Sequence, residues 1–483
     1  MKPDATGAGA AGTGAGAAAA PRKLTVGTKL GFGVCDLGGN LFFTALGFYA
    51  LKYLTDTVGI AAALAGILLM VGKVVDAFWD PVLGFLSDRT RTRWGRRRPY
   101  LLFASVPMAL AMWWFFTNPH IADPAGAAAW GLGVFIVLNV TYSAVNIPYS
   151  SLTPELTADY HERSSLNGYR FMFAVVGTLL GGVAVDPIIR AFTHAGAGGA
   201  AAGGASAMVD KSLGFSMVGL IFGAIMLVTA LVTGVSVREP SRPAQPRPDK
   251  GFIRTYLTVF RNRPYVLILL TYALHIIGIT FLQSAITYYF TYVYRAESMQ
   301  ALAMGILLVV AMVFIPLSVA VSRRIGKKLT YQASLFIIAS ASLVLFFLGH
   351  ILGPSFFLGM MVYAGIGLGF SYVAPYAMVP DTIEVDAVRS GERNEGAFYG
   401  VWLFTSKIGQ AVSWLLTGLV LALGSYVANA VQAGSAILAI RFMIGPLPAL
   451  FLLGGVILVQ FYPLDQKTYD SIIATAGKDP KGG

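Results

Sequence analysis

The sequence predicts an all-α integral membrane protein: twelve transmembrane helices in two six-helix bundles. Three observations lead there. Only 12% of the 483 residues are Asp, Glu, Lys or Arg. A soluble globular protein carries about 25%, so this chain cannot coat a water-facing surface of its size. Hydrophobic residues make up 56%, and the mean hydropathy is +0.68. Apolar runs of the roughly 20 residues that a bilayer-crossing helix needs recur along the chain. Together these exclude a soluble enzyme, a DNA-binding protein and a disordered chain. The runs are long and continuous, without alternation, which excludes a transmembrane β-barrel.

Each element follows in order. Residues 1–26 are Ala/Gly-rich and lack an apolar core, so they read as a disordered tail and not as a cleaved signal peptide. Spans are expected near 29–54, 59–87, 99–118, 127–153, 166–193 and 213–237, then 265–293, 299–322, 330–350, 354–380, 397–423 and 440–461. The first six make an N-terminal bundle, 27–237, and the last six a C-terminal bundle, 263–463. The segment between, 238–262, contains REPSRPAQPRPDKGF and is a Pro-rich, charged linker. Residues 464–483 form a C-terminal tail. The single cysteine, Cys35, allows no intramolecular disulfide.

The basic residues orient the chain. With the N-terminus in the cytoplasm, 27 of the 35 Lys and Arg fall in cytoplasmic segments. Only three, Arg190, Lys211 and Arg295, fall in outer loops. That asymmetry follows the positive-inside rule, puts both termini in the cytoplasm, and explains the net charge of +12 without nucleic acid. Each half has a basic loop after its second span, RTRTRWGRRRP at 89–99 and SRRIGKK at 322–328, a weak internal repeat. Two repeated six-helix halves are the major facilitator arrangement, in which substrate binds between the halves near the midplane. GFLSDRTRTRWGRRRP resembles that superfamily's loop signature, which implies a gate built from Asp88 with Arg89, Arg93 and Arg97; the other reading is a loop that only sets topology.

Ionisable groups at membrane depth cost roughly 2.5–3.5 kcal/mol each on insertion scales, so they usually serve transport. Asp76 and Asp80 lie mid-helix in VGKVVDAFWDPVLG, four residues apart and on one face. Two carboxylates so close repel unless a proton or another cation is shared between them. A coupling ion, H⁺ or Na⁺, fits that need; a structural ion pair of Asp76 with Lys73, three residues earlier, is the alternative. Pro81 frees a backbone carbonyl as a further ligand. Lys407, alone among apolar residues of the eleventh span, requires a carboxylate partner among Asp76, Asp80 and Asp36. Arg170 either binds substrate, pairs with an acid of the first two spans, or snorkels to the interface. Asp36 and Asn40, one turn apart in the first span, are substrate-site candidates, as is Asn146 in YSAVNIPYSS. His275 reads as a packed residue. Tyr288, Tyr289, Tyr292 and Tyr294 read as an interfacial aromatic belt.

Four motifs in order, DAFWDP, RTRWGRRRP, NIPYSSLTPE and VPDTIE followed by ERNEGAFYG and KIG, resemble the glycoside–pentoside–hexuronide:cation symporters of the major facilitator superfamily. The likeness runs from about residue 25 to 465. It implies that Asp76 and Asp80 bind the cation, with Ser143 and Asn146 on the fourth span beside them. It implies that Arg170 and Lys407 are charged pore residues. Three departures matter: Gly38 stands where the sugar-binding aspartate of the melibiose carrier is expected, Asn146 replaces a further aspartate, and Trp79 replaces a polar residue before Asp80. Fewer oxygen ligands favour H⁺ over a tight Na⁺ site. The resemblance therefore implies a cation-coupled symporter of a sugar or glycoside, working by alternating access as a monomer in the cell membrane. A similar aspartate pair occurs in sodium-dependent lysolipid symporters, so a lysolipid or other amphipath is the alternative substrate. No Walker loop, enzyme motif or Cys/His metal cluster is present, and no cofactor is expected beyond the coupling ion.

Overall fold

The computed structural model describes residues 24–157, 159–196, 211–237, 239, 258–390 and 395–476. Tail residues 1–23 and 477–483, and linker residues 238 and 240–257, lie outside the described residues.

Twelve spans stand among the described residues. Those of the first half are α1 Val26–Thr57, α2 Ala62–Arg89, α3 Tyr100–Phe115, α4 Pro124–Leu156, α5 Tyr160–Val183 and α6 Ser212–Ser236. Those of the second half are α7 Arg263–Val293, α8 Gln300–Ile325, α9 Lys327–Val344 extended by Leu345–Gly349, α10 His350–Ser390, α11 Glu395–Leu423 and α12 Gly434–Gln460. No strand forms among the described residues.

Local chemistry sets the boundaries. Asp123 accepts from the Gly126 amide and Pro124 opens α4, where a missing N–H costs nothing. Asn262 caps α7 in the same way, again before a proline. Gly353, at φ +79° near the start of α10, kinks the continuous helical run and so separates the ninth crossing from the tenth, a backbone state that glycine adopts without a Cβ clash. The expected fifth span, 166–193, is shorter than read: α5 ends at Val183 and a separate helix, Val185–Gly196, follows. Pro187 explains the break, because it has no N–H to continue the ladder to Val183. A further helix, Gln466–Ala476, lies within the expected C-terminal tail and packs on α10 through Tyr469, which donates to Glu384.

The halves meet chiefly where α2 crosses α11. Small residues let the backbones approach: a Cβ added at Gly418 would collide with the Ala62 carbonyl, and one at Gly66 would lie 2.6 Å from the Trp414 carbonyl. In a membrane, where lipid is as apolar as the helices, such close contact drives association. The second crossing joins α1 to α7, with Ser284 donating to the Gly47 carbonyl at 3.3 Å. Both α1 and α7 end in wide π turns, Tyr53–Thr57 and Tyr289–Val293.

Candidate functional site

At the centre of the α2–α11 crossing, Lys407 reaches from the second half into the first. Its Nζ lies 2.8 Å from Oδ2 of Asp76 and 2.6 Å from Oδ2 of Asp80. One ammonium is thus shared by both carboxylates, as their four-residue helical spacing allows. Lys73 lies 3.0 Å from the same Oδ2 of Asp76 and donates to Oδ1 of Asn139 at 3.1 Å. Ser143 donates to Oδ1 of Asp76 at 2.8 Å. Asp76 and Lys73 are each 1% exposed. Two carboxylates and two ammonium groups leave this cluster formally neutral. Neutrality is what burial demands, because an isolated charge in an apolar medium costs far more than a paired one.

The cluster joins Asp76, Asp80, Ser143 and Lys407, as the sequence led us to expect. Of the two readings of Asp76, the ion pair with Lys73 is formed, and Lys407 pairs with the same carboxylate. Asn139, 0% exposed and one turn before Ser143, is a member that the sequence reading did not include. Asn146 is not brought to the pair. It lines a small cavity inside the first half with Cys35, Gly38 and Tyr142.

Asp36 and Arg170 form a second cluster. Arg170 donates from Nε to Oδ2 of Asp36 at 2.7 Å and from Nη2 to Oδ1 at 3.2 Å, a bidentate pair. Tyr149 donates to the same Asp36 oxygen at 2.5 Å, and Arg170 Nη1 donates to Thr153 at 2.8 Å. This clamp ties α1, α4 and α5 together within one half. Of the three readings for Arg170, pairing with a first-span acid is the one this geometry matches. Asn40 is satisfied locally, donating to the Asp36 carbonyl at 2.8 Å.

At the end that carries the basic loops, Arg97 pairs with Asp88 at 3.0 Å and with Glu155 at 3.1 Å. Arg96 also meets Glu155, at 2.5 Å, and Glu239 accepts from the backbone amides of Arg96 and Arg97. Arg89 and Arg93 stack on Phe85 and Trp94. In the other half, Lys327 pairs with Asp381 at 2.6 Å. These ion pairs each stay within one half.

The far end differs. Asp56 of α1 accepts from Tyr292 at 2.7 Å and from Tyr426, and its carbonyl accepts from Asn429 at 2.5 Å. Thr55 meets the Tyr288 hydroxyl at 2.9 Å, and Lys52 donates to Thr291 and to the Thr287 carbonyl. Here the aromatic-belt expectation fails. Tyr288, Tyr289 and Tyr292 are 0%, 0% and 9% exposed and pack inside the protein. Tyr288 and Tyr292 face the other half because Asp56, Thr55 and Lys52 give their hydroxyls and neighbours polar partners. His275 is buried and meets the Tyr331 hydroxyl at 3.2 Å, as a packed residue would.

Twelve spans in two halves, joined at mid-membrane by a buried charge cluster, define a major facilitator fold. Solved structures agree on that fold. A point mutant of the nucleoside transporter NupG matches with a TM-score of 0.63 at 12% identity, over 90% of this chain and 99% of that one. A bacterial homolog of the human lysosomal transporter Spinster, inward-facing and unoccupied, matches with a TM-score of 0.59 at 14% identity, over 94% and 97%. The family model described as MFS/sugar transport protein matches residues 31–466, and the chain belongs to that family. It is a multi-pass membrane protein of a transporter family.

Curated relatives fit the glycoside–pentoside–hexuronide branch. The isoprimeverose transporter of Lactiplantibacillus pentosus is 28% identical, over 91% of this chain and 88% of its own. The glucuronide carrier protein homolog of Escherichia coli (strain K12) is 28% identical over 94% and 95%. A symporter of Synechocystis sp., itself uncharacterized, is 29% identical over 93% and 96%.

Proposed function

We propose that the protein is a cation-coupled symporter of a sugar or glycoside, working by alternating access with its basic loops and termini in the cytoplasm. The observation that carries this reading is the ammonium of Lys407 held between Asp76 and Asp80. The pair straddles the two halves, so its charge state is linked to how the halves sit. A cation that takes one carboxylate releases Lys407 and loosens the α2–α11 contact at its centre.

The donor set bears on which ion does this. The position between the two Oδ2 atoms is filled by an ammonium, and a metal ion there requires Lys407 to leave. Asp80 Oδ1 is buried without a hydrogen-bond partner, so a proton can settle there without first displacing Lys407. These points favour H⁺ over Na⁺.

Sugar chemistry is supported by the relatives, which are named for isoprimeverose and glucuronide transport. The test is uptake of radiolabelled sugars into proteoliposomes under an imposed H⁺ or Na⁺ gradient, with lysophosphatidylcholine as a competing substrate. A proton gradient is expected to drive accumulation, and Asp80→Asn to abolish it while equilibrative exchange survives. Accumulation that follows neither gradient defeats the coupling; uptake of lysolipid without sugar defeats the substrate class.

A further inference from the structure

Above the far-end contacts the two halves frame a cavity of about 840 Å³ that opens to the surface. Arg190, Lys211 and Arg295 all line it, together with Lys52. These three are the very bases that the sequence leaves on this side of the membrane, against 27 on the other. They come from different places in the chain, after α5, before α6 and after α7. Topology disfavours bases here, so their convergence on one cavity calls for a role.

Their pairing is incomplete. Lys211 holds Glu297 at 2.8 Å, and Lys52 lies 3.7 Å from it. Asp56 is taken by tyrosine hydroxyls. Arg190 and Arg295 make no ion pair among the described residues. Nη2 of Arg190 is buried without an acceptor, and Oδ2 of Asp186, one turn earlier on the same helix, is buried without a donor. Buried polar atoms left without partners destabilise the fold that holds them. A ligand that brings both an acidic group and hydroxyls satisfies both atoms. A neutral sugar satisfies only the second, and a bare anion only the first.

We propose that this vestibule is a second binding site, separate from the central charge cluster, for a glycoside that bears an acidic group such as a carboxylate or sulfonate. Arg190 and Arg295 receive the acid, and Asp186 accepts from a ring hydroxyl. The cavity is open to the far side while the contacts beneath it are closed, so the site captures substrate before the halves part. The sugar identity of the ligand rests on the transport reading above; the anion site does not.

The test is calorimetric binding to the full chain in phosphatidylcholine nanodiscs, with D-glucuronate, D-glucose and acetate as probes. Glucuronate is expected to bind at least tenfold more weakly to Arg190→Gln/Arg295→Gln and to recover most of that loss in Arg190→Lys/Arg295→Lys. Its Arg-dependent binding is expected to survive Asp80→Asn and to weaken at high salt. Glucose binding is expected to be unchanged by either double variant. Glucuronate binding indifferent to both variants, equal loss for glucose, or acetate binding as tightly as glucuronate overturns the proposal. Arg-dependent glucuronate binding without uptake of any sugar leaves this site standing and removes the transport reading.

Discussion

At the far end, Asp56, Thr55 and Lys52 of α1 bond directly to Tyr288, Thr291 and Tyr292 of α7 and to Tyr426 after α11. At the basic end, Arg97 turns back to Asp88 and Glu155 of its own half, and Lys327 to Asp381 of its own. The hydrogen bonds and ion pairs described above that join the halves all lie at the centre or the far end. The difference teaches how one chain can present two states. The far end is fastened across the seam, whereas the ion pairs named at the basic end brace each half within itself. In this structure the halves are therefore held shut on the side poor in bases.

The largest effect is expected at the centre. Lys407→Ala leaves Lys73 alone to balance two buried carboxylates, with Asp80 losing its ammonium partner, and breaking a buried ion pair costs about 3–5 kcal/mol. Thermal unfolding in detergent should report that loss, and gradient-driven uptake should vanish. Undiminished stability would mean that the cluster rearranges at will, and the seam comparison would lose its hinge.

Packing comes next. Gly418→Val puts a side chain into the Ala62 carbonyl, and overpacking of this kind costs about 1–3 kcal/mol. Because α2 must separate from α11, the spacing of the halves should change more than the folding of either. Distances between spin labels on the two halves read this directly; no change in them counts against the crossing as the main contact.

Asp56→Asn tests the far fastening itself. Hydrogen bonds to a charged group are worth about 1.5–3 kcal/mol, so losing that charge should raise the far-side-open population by about tenfold or more. A cysteine introduced beneath the Tyr292 ring should then react faster with an impermeant thiol reagent added from outside. Cys35, the single native thiol, is buried and gives little background.

The smallest effect is expected from Lys327→Gln. Lys327 is 37% exposed, and such pairs contribute at most about 1 kcal/mol. Uptake should change little beside the Asp56 variant, and a reversal of that order would place the stronger fastening at the basic end.

The spans were legible because a bilayer imposes a length, and twelve apolar runs of that length are hard to misread. The one error, the fifth span, came from reading through Pro187, whose missing N–H ends α5 early. Asp76, Asp80 and Lys407 were legible because charges inside apolar helices need partners and the i, i+4 spacing puts two on one face. Asn139 was not, since an amide in an apolar run gives no sign of which neighbour it meets. The far-end contacts were hidden for a different reason. Tyrosines near a span's end look alike whether they face lipid or a partner, and only the fold brings Asp56 from the first helix to Tyr292 in the seventh. The Arg170 clamp was half visible: pairing with an acid of the first two spans was one of three readings, and the choice of Asp36 was not legible.

The π turns at the tips of α1 and α7 carry one more consequence. A π turn admits an extra residue, so its carbonyls lie off the regular ladder and its hydrogen bonds are easier to exchange than those of an α turn. Tyr53–Thr57 and Tyr289–Val293 occupy equivalent tips in the two halves and hold Thr55, Asp56, Thr291 and Tyr292 of the far-end bonding groups. Rewinding either tip into an α turn changes where Asp56 or Tyr292 points relative to the shaft below. Unlatching can thus begin as a local twist of two helix ends, ahead of any tilt of the bundles that carry them.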